Sequence, residues 1–338
     1  MARIGVDGLM ISPHGKGNAR SQRHAVEALA AAGEHELVVF VREAVDDIPG
    51  VEVVRVGERL TIDWELRGVL RAARRHRLDA LLTLSDRLPP AGGPPTVVWL
   101  FESPVARIRT NRATRAPLRH RGSDLLTSVL WRRSLRRASH VAFGSRATQE
   151  DVGRTVRGLR STSVVYPGVP PGFSPGEGPR GDYVFHLGSP DPRDNTAAAV
   201  EACRRAGARL LVAGGWRGAG AEALGRVSDD ELVELYRGAA AFLDPTLYEG
   251  FGYGVLEAMA CGAPVVASNR TSVPEVVGDA GLLCDPESPD ELAAALRRVL
   301  ADSALADEMR ASGLARAAGF TWTRTAEGLS AALARALR

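Results

Sequence analysis

The stretch AAAFLDPTLYEGFGYGVLEAMACGAPVVA, Ala239 to Ala267, holds a strand, a helix and a second strand. Ala239–Leu243 is a short apolar run. Asp244-Pro245-Thr246 ends it, because proline and small polar residues turn a chain out of a ladder. The spacing predicts a helix from Gly252 to Cys261, with Val255, Leu256, Met259 and Ala260 as its apolar stripe. Gly262 follows as a left-handed cap. Pro264–Ala267 is the next strand. Two short apolar strands with a helix between them point to a parallel sheet covered by helices.

The same alternation runs along all 338 residues. In the first half the strand candidates are Arg3–Asp7, Leu37–Val41, Val51–Val56, Ala80–Leu84, Thr96–Phe101, His140–Phe143 and Ser163–Tyr166. Helical patterns lie between them, as at Ser21–Ala32 and Trp64–Arg75. YPGVPPGFSPGEGPRGD, Tyr166 to Asp182, then packs five prolines and five glycines into 17 residues and reads as a linker. The alternation restarts with strands at Tyr183–Leu187, Arg209–Ala213 and Leu282–Cys284. The expected architecture is α/β: two Rossmann-like doubly wound domains, 1–168 and 169–320, facing a central cleft. A C-terminal helix at 321–338 is expected to pack back toward the first domain. Ligands of such sheets bind beyond the carboxyl ends of the strands.

Composition excludes several classes. Apolar residues make up 45% and charged residues 25%, ordinary for a globular protein. Cys203, Cys261 and Cys284 show neither disulfide nor metal spacing, which fits a reducing compartment. The start, MARIGVDGLMIS, has no signal-peptide pattern, and no run of 18 apolar residues occurs. The expected location is therefore the cytoplasm. No G-x-G-x-x-G turn with a following acid marks a dinucleotide oxidoreductase.

The chemistry concentrates after Leu243. A loop at the carboxyl edge of a sheet runs into a helix start, whose free N–H groups make a site for an anion such as a diphosphate. Gly252 and Gly254 let a phosphate approach the backbone. Glu257 falls off the expected buried stripe, where its carboxylate can accept from a vicinal diol such as ribose. Glu249, in the loop, can accept from sugar hydroxyls. Either glutamate alone reads first as a solvent-facing residue on a capped helix; two carboxylates flanking a glycine-spaced helix start, after an edge-of-sheet strand, point instead to a site.

Over FLDPTLYEGFGYGVLEAMACGAPVVASNRTSVPEVVGDAGLLCDPESPDELAAAL the chain resembles retaining glycosyltransferases of family 4, with their E-x7-E pair at Glu249 and Glu257. The resemblance extends to VSDDELVELYRGAAA (227–241), SVVYPGVPPGFSP (163–175), SHVAFGSRATQED (139–151) and HGKGNARSQRHAVEAL (14–29). It is weakest from Asp46 to Gly122. It implies the GT-B fold and transfer of a sugar from a nucleotide-diphosphate sugar to an acceptor hydroxyl. The anomeric configuration is retained, and neither a metal nor another cofactor takes part. It further implies that Glu257 binds the ribose, Glu249 the transferred sugar, and the N–H groups of Gly252, Tyr253 and Gly254 the diphosphate. Arg226 and Val227 would lie against the base, and Gly15, Lys16 and Gly17 would approach the donor phosphates. Such enzymes build glycans, glycolipids and glycosylated natural products.

Two segments depart from the family pattern. In HLGSPDPRDN (186–195), Ser189 stands where an arginine or a small residue is usual, and Asp194 where a lysine is usual. Arg193 is then the one cation offered to the diphosphate, as a guanidinium clamp. In VVWLFESP (97–104) a usual His-Asp pair is replaced by Phe101 and Glu102, leaving Glu102 to orient the acceptor. These departures keep two alternatives open: a GT-B enzyme using a sugar phosphate, and a non-catalytic nucleotide-sugar-binding protein. His186, at a strand end, reads as a satisfied structural histidine.

Between Arg107 and Arg137 ten arginines face one acid, Asp124, although the net charge is only +3. Lys16 is the single lysine, so arginine richness reflects the composition of the whole chain. Three readings of the segment stand: a solvated helical face, a site for an anionic or lipid-linked acceptor, and peripheral contact with acidic lipid. Trp131, Leu130 and Leu135 support the last. Nucleic acid is not expected, since no aromatic stacking platform accompanies the arginines.

Overall fold

The computed structural model describes residues 1–11, 18–56, 64–84, 92–103, 121–178 and 181–338. Among them, Met1–Ser103, Arg121–Gly168 and Thr321–Arg338 form one compact unit, and Val169–Phe320 a second. In the first unit the strands are β1 (Ala2–Asp7), β2 (His35–Val41), β3 (Val51–Arg55), β4 (Ala80–Thr83), β5 (Thr96–Leu100), β6 (His140–Phe143) and β7 (Thr162–Val164). They pair in the order β3-β2-β1-β4-β5-β6-β7. In the second, β8 (Tyr183–Gly188), β9 (Arg209–Gly214), β10 (Glu222–Gly225), β11 (Ala241–Asp244), β12 (Val265–Ser268) and β13 (Leu282–Cys284) pair as β10-β9-β8-β11-β12-β13. The pairings are parallel. Numbered within each unit, both sheets share the doubly wound order 3-2-1-4-5-6, with β7 added at one edge of the first. The order reverses between β1 and β4, and again between β8 and β11.

Parallel strands are covered on both faces, so their sequences are apolar throughout rather than alternating. Leu37–Val41, Ala80–Thr83 and Val265–Ser268 are buried without interruption. Around the first sheet lie α1 (Asn18–Ala32), α2 (Val69–Arg75), α3 (Arg121–Arg137) and α4 (Arg146–Thr155). Around the second lie α5 (Thr196–Ala206), α6 (Asp229–Gly238), α7 (Tyr253–Ala260), α8 (Val273–Val277), α9 (Pro289–Ala301) and α10 (Ser303–Ala317). Local chemistry fixes their starts. Ser228 and Glu231 close a capping box on α6, each satisfying a backbone N–H that the helix leaves open. Leu292, Leu296 and Val299 bury one stripe of α9.

The last helix, α11 (Trp322–Ala336), belongs to the first unit. It buries Leu329 and Leu333, and the Thr325 hydroxyl donates to the Tyr166 carbonyl at 2.8 Å. The rings of His24 on α1 and Trp322 lie 5.5 Å apart.

The structure adds two features to the sequence expectation. β10 is an edge strand of Glu-Ala-Leu-Gly, which have weak strand preference; pairing with β9 creates it. In α3, Trp131 and Leu135 are fully buried against Val98, Leu100 and Phe143. The membrane reading of those two side chains is therefore corrected: they face the core, whereas Val129 and Leu130 are exposed. Arg107, Arg109, Arg112, Arg115 and Arg119 lie outside the described residues. Among the described residues, no helix is long and apolar enough to cross a membrane.

Candidate functional site

At the reversal point of the second sheet a cavity of about 230 Å³ opens beyond the carboxyl ends of β8, β9 and β11. Leu187, Gly188 and Ser189 wall it from β8, Ala213 and Gly214 from β9, and Phe242 and Asp244 from β11. Asp194, Thr246, Glu249 and Gly254 complete it from the loops above. Gly214 has φ +122°, and a Cβ there would stand 2.2 Å from the Gly188 carbonyl oxygen. Only glycine lets β8 and β9 close beneath the cavity. The volume is below the roughly 300–1,000 Å³ of whole-ligand sites, so it suits one part of a larger ligand.

The loop HLGSPDPRDN forms one wall and is held by its own side chains. The Asp194 carboxylate accepts from the Ser189 N–H at 2.8 Å, and Asp191 accepts from the Arg193 N–H at 2.9 Å. Asn195, in a left-handed conformation at φ +53°, donates to the carbonyls of Pro245 and Pro286 at 3.0 and 2.8 Å. His186 is fully buried. Its Nδ1 donates to the Leu243 carbonyl at 2.9 Å, which leaves Nε2 to accept from Thr196 Oγ1 at 3.0 Å. Burial pushes its pKa down to about 4. His186 is thus the satisfied structural histidine that its strand-end position predicts.

The structure turns Arg193 toward Asp191. Its Nε lies 3.1 and 3.0 Å from the two Asp191 carboxylate oxygens, and its terminal nitrogen is 2.7 Å from one of them. Its backbone carbonyl accepts from the Leu247 N–H and the Thr246 hydroxyl, joining the two loops. The Arg193 side chain is not among those lining the cavity.

Glu249 does line the cavity, and its carboxylate accepts from the N–H groups of Gly250 at 3.1 Å and Phe251 at 3.5 Å. Ser272 and Thr271 hold its backbone from the β12–α8 side: the Ser272 hydroxyl donates to the Glu249 carbonyl, and the Glu249 N–H donates to Thr271 Oγ1. Gly252 caps α7 at φ +105°. Gly254 opens on the cavity, with Phe242 and Leu187 at ordinary contact distance from a Cβ built there. The start of α7 therefore borders the cavity, as does the carboxylate just before it.

Glu257 corrects the sequence expectation. It is 3% exposed, because α7 is enclosed on all sides from Val255 to Ala260 rather than along one stripe. The buried Tyr236 hydroxyl donates to its Oε2 at 3.3 Å. Burial raises the Tyr236 pKa well above its ordinary value, with Glu257 adding to the shift, so the phenol stays a donor. Tyr236 is itself packed among Phe173, Phe185 and Phe242.

The cavity is acidic. Asp194, Asp244 and Glu249 are its charged lining residues. Burial, then the Glu249 and Asp194 carboxylates, push Asp244 up to about 7. Burial likewise raises Asp194. Sequence reasoning missed Asp244, which terminates β11 and reads as a turn residue; the signal was an acid as the last residue of a buried strand. It also missed Asp7 at the reversal point of the first sheet. Asp7 is 5% exposed and accepts from Trp64 Nε1 at 3.2 Å and from the Thr83 hydroxyl at 3.4 Å.

The other expected residues fall elsewhere. Glu102 follows β5, half-buried, at the carboxyl edge of the first sheet. Arg226 is exposed, and Val227 lines a separate groove with Tyr183, Leu224 and Leu235. Gly15, Lys16 and Gly17 lie outside the described residues. Among the described residues, no group of histidine, cysteine or acidic side chains is arranged to hold a metal ion. All three cysteines are free and buried.

Residues 218–316 match the family model "Glycosyl transferases group 1". The chain is 38% identical over 161 residues to O-antigen chain mannosyltransferase B of Escherichia coli; this match covers 41% of the chain and 42% of that relative. The chain thus spans less than half the length of this curated relative. The structure superposes on sucrose-phosphate synthase from Thermosynechococcus elongatus with a TM-score of 0.82 at 19% identity, covering 100% of this chain and 99% of that one. It superposes on Anabaena HepE, solved in complex with UDP-glucose, with a TM-score of 0.71 at 17% identity, covering 99% of this chain and 100% of HepE. Residues 218–316 are thus similar to the glycosyl transferases group 1 family, and the two Rossmann-like units share the GT-B fold of these solved glycosyltransferases.

Proposed function

We propose that the chain is a retaining hexosyltransferase that moves a sugar from a nucleotide-diphosphate sugar to an acceptor hydroxyl without a metal, in glycan, glycolipid or natural-product glycosylation. The observation that carries this is the pairing of Glu249 with the start of α7 at one cavity, where strand order reverses. A carboxylate beside a helix start suits a ligand with hydroxyls at one end and phosphates at the other. Glu249 accepts from the sugar hydroxyls. The N–H groups of Tyr253 and Gly254 and the helix dipole stabilise charge developing on the leaving diphosphate. Glu257, set by Tyr236, is the ribose ligand of this reading. The mannosyltransferase similarity across 161 residues and the UDP-glucose complex of a protein of the same fold support a nucleotide-sugar donor.

Arg193 serves the diphosphate by exchanging Asp191 for a phosphate, since a carboxylate and a phosphate present the guanidinium with the same paired oxygens. Glu102 orients the acceptor. The acceptor is an anionic or lipid-linked glycan, and the chain works in the cytoplasm or at the inner face of a membrane. A second reading, donation from a sugar phosphate, is favoured by Asp194 in the wall where a phosphate-binding lysine is expected.

The test is a thermal shift with UDP-, GDP- and dTDP-sugars in the presence of chelator, followed by turnover assays. Protection by one of these donors, with release of the nucleoside diphosphate, is the expected result. Release of orthophosphate identifies the sugar-phosphate reading. No shift with any donor overturns the nucleotide-sugar reading.

A further inference from the structure

The polar side chains on the strand side of the second unit's cavity are already committed. The Ser189 N–H donates to the Asp194 carboxylate at 2.8 Å, and the Ser189 hydroxyl donates to the same carboxylate. The Thr246 hydroxyl donates to the Arg193 carbonyl at 3.0 Å, and the Thr246 N–H to Asp244 Oδ1 at 3.3 Å. Leu187, Ala213 and Phe242 add apolar side chains. Among the described residues no cation lines the cavity. A phosphate at the start of α7 therefore meets Asp194 and Asp244 across the cavity, with the neighbouring hydroxyls turned to other acceptors. An ionised carboxylate only accepts, whereas a protonated one has an O–H to give.

Asp244 is the carboxyl group placed to give it. It ends β11 at the reversal point of the sheet, and the Thr246 N–H engages its Oδ1, which leaves Oδ2 to carry a proton. The elements around it bring no positive charge. The β8–α5 loop presents Asp194, while Arg193 of that loop turns to Asp191. The loop before α7 presents Glu249. His186 of β8 is held neutral, its Nδ1–H bound to the Leu243 carbonyl, and Tyr236 of α6 keeps its phenolic proton. β9 brings Ala213 and Gly214 to the cavity, and β12 sets Ala267 opposite Asp244. Burial and like charge both favour the protonated acid, and a diphosphate in the same cavity adds further negative charge.

We propose that Asp244 binds the donor as a neutral carboxylic acid, its O–H donating to an oxygen of the diphosphate. A carboxyl group held neutral by its site can serve as a hydrogen-bond donor, and here it supplies the donor that a lysine at position 194 would otherwise supply. Binding takes up one proton from solvent, which joins Asp244 Oδ2, and no bond of the ligand breaks. The inference rests on the nucleotide-sugar reading above.

Calorimetric titration of the full chain with UDP, GDP and dTDP at pH 8, in the presence of chelator, tests it. At that pH a terminal phosphate, with its second pKa near about 6, no longer titrates, whereas Asp244, pushed up to about 7, is largely ionised in the free chain. Repeating the titration in buffers of different ionisation enthalpy reads the protons bound. Uptake of about half a proton or more is expected for the nucleotide that binds, with affinity falling by up to about tenfold for each pH unit above 7. Asp244→Asn should abolish the uptake and flatten the pH dependence, because its amide donates at any pH. Asp244→Ala should also abolish the uptake, and at pH 7 it should weaken binding about tenfold or more, the usual cost of a lost charged hydrogen bond. Asp194→Asn removes one like charge, so the fall in affinity should begin at a lower pH. Binding without proton uptake overturns the proposal and leaves the nucleotide-sugar reading standing. So does uptake unchanged in Asp244→Asn, which would place the proton on another group, or binding that requires magnesium. Absence of binding by all three nucleotides refutes the nucleotide-sugar reading itself, and the proposal with it.

Discussion

The two sheets share one strand order, and each ends a strand at its reversal point in an aspartate: Asp7 on β1 and Asp244 on β11. Their surroundings differ. Asp7 accepts from the Trp64 indole, the Thr83 hydroxyl and, at 3.4 Å, the Leu9 N–H. Asp244 accepts from the Thr246 N–H at 3.3 Å, faces an open cavity, and has two carboxylates as neighbours. A carboxylate with several donors holds a fold together. One with like charges around it is held in place by the rest of the fold, and its chemistry is available to a ligand. The reversal point of one topology, flanked by an aspartate on its first strand in one unit and on its fourth strand in the other, thus serves structure in one unit and leaves chemistry open in the other.

The largest test of this contrast is Asp7→Ala. It strands a buried indole N–H, worth about 1–3 kcal/mol, and removes an acceptor from the Thr83 hydroxyl. A loss of about 3 kcal/mol is expected in urea unfolding of the first unit, with Asp7→Asn losing less. Equal losses for Asp7→Ala and Asp244→Ala would break the comparison. Next in size is Glu249→Ala, which should cut sugar transfer about a hundredfold, near 2.7 kcal/mol, while the melting temperature stays within a few degrees. Unchanged turnover would remove Glu249 from the site.

Asp194→Asn should come third. It keeps an acceptor for the Ser189 N–H but removes a negative charge from the wall, so a nucleotide-diphosphate donor should bind about tenfold tighter. Donor affinity that falls instead would show that Asp194 contacts the ligand directly.

The last test concerns pH. An unfolded aspartate releases its proton near 3.8, and the folded Asp244 near 7. Across that window the native chain binds a proton that the unfolded chain has released, so Asp244 makes stability fall as pH rises. Asp244→Asn should flatten this slope, so that the variant gains stability over the parent as pH rises from 5 to 8. Melting curves of the two proteins from pH 5 to 8 would show it, and parallel curves would refute it.

Much of the fold is legible in the sequence, for a physical reason. Strands buried on both faces must be apolar throughout, and runs such as LVVFV and VVAS can hardly be anything else. β10 was not legible, because an exposed edge strand of Glu-Ala-Leu-Gly is made by its neighbour rather than by its own residues. At the site, Glu249 and Gly254 were legible from loop chemistry, and the structure sets both at one cavity. Glu257 was misjudged because a helical stripe assumes one wet face, and α7 has none. The pairing of Arg193 with Asp191, two residues away, depends on side-chain torsions that spacing does not encode.

The return of α11 to the first unit bears on how the chain is made. Val169–Phe320 is a continuous segment, whereas the first unit needs Thr321–Arg338 to bury Val165 against Gly328 and to pair Thr325 with Tyr166. During synthesis the second unit can therefore close while the first is still waiting for its final helix. The part of the chain made first should be among the last to become resistant to protease, and a stop codon placed before Trp322 should cripple the half of the protein farthest from it in sequence.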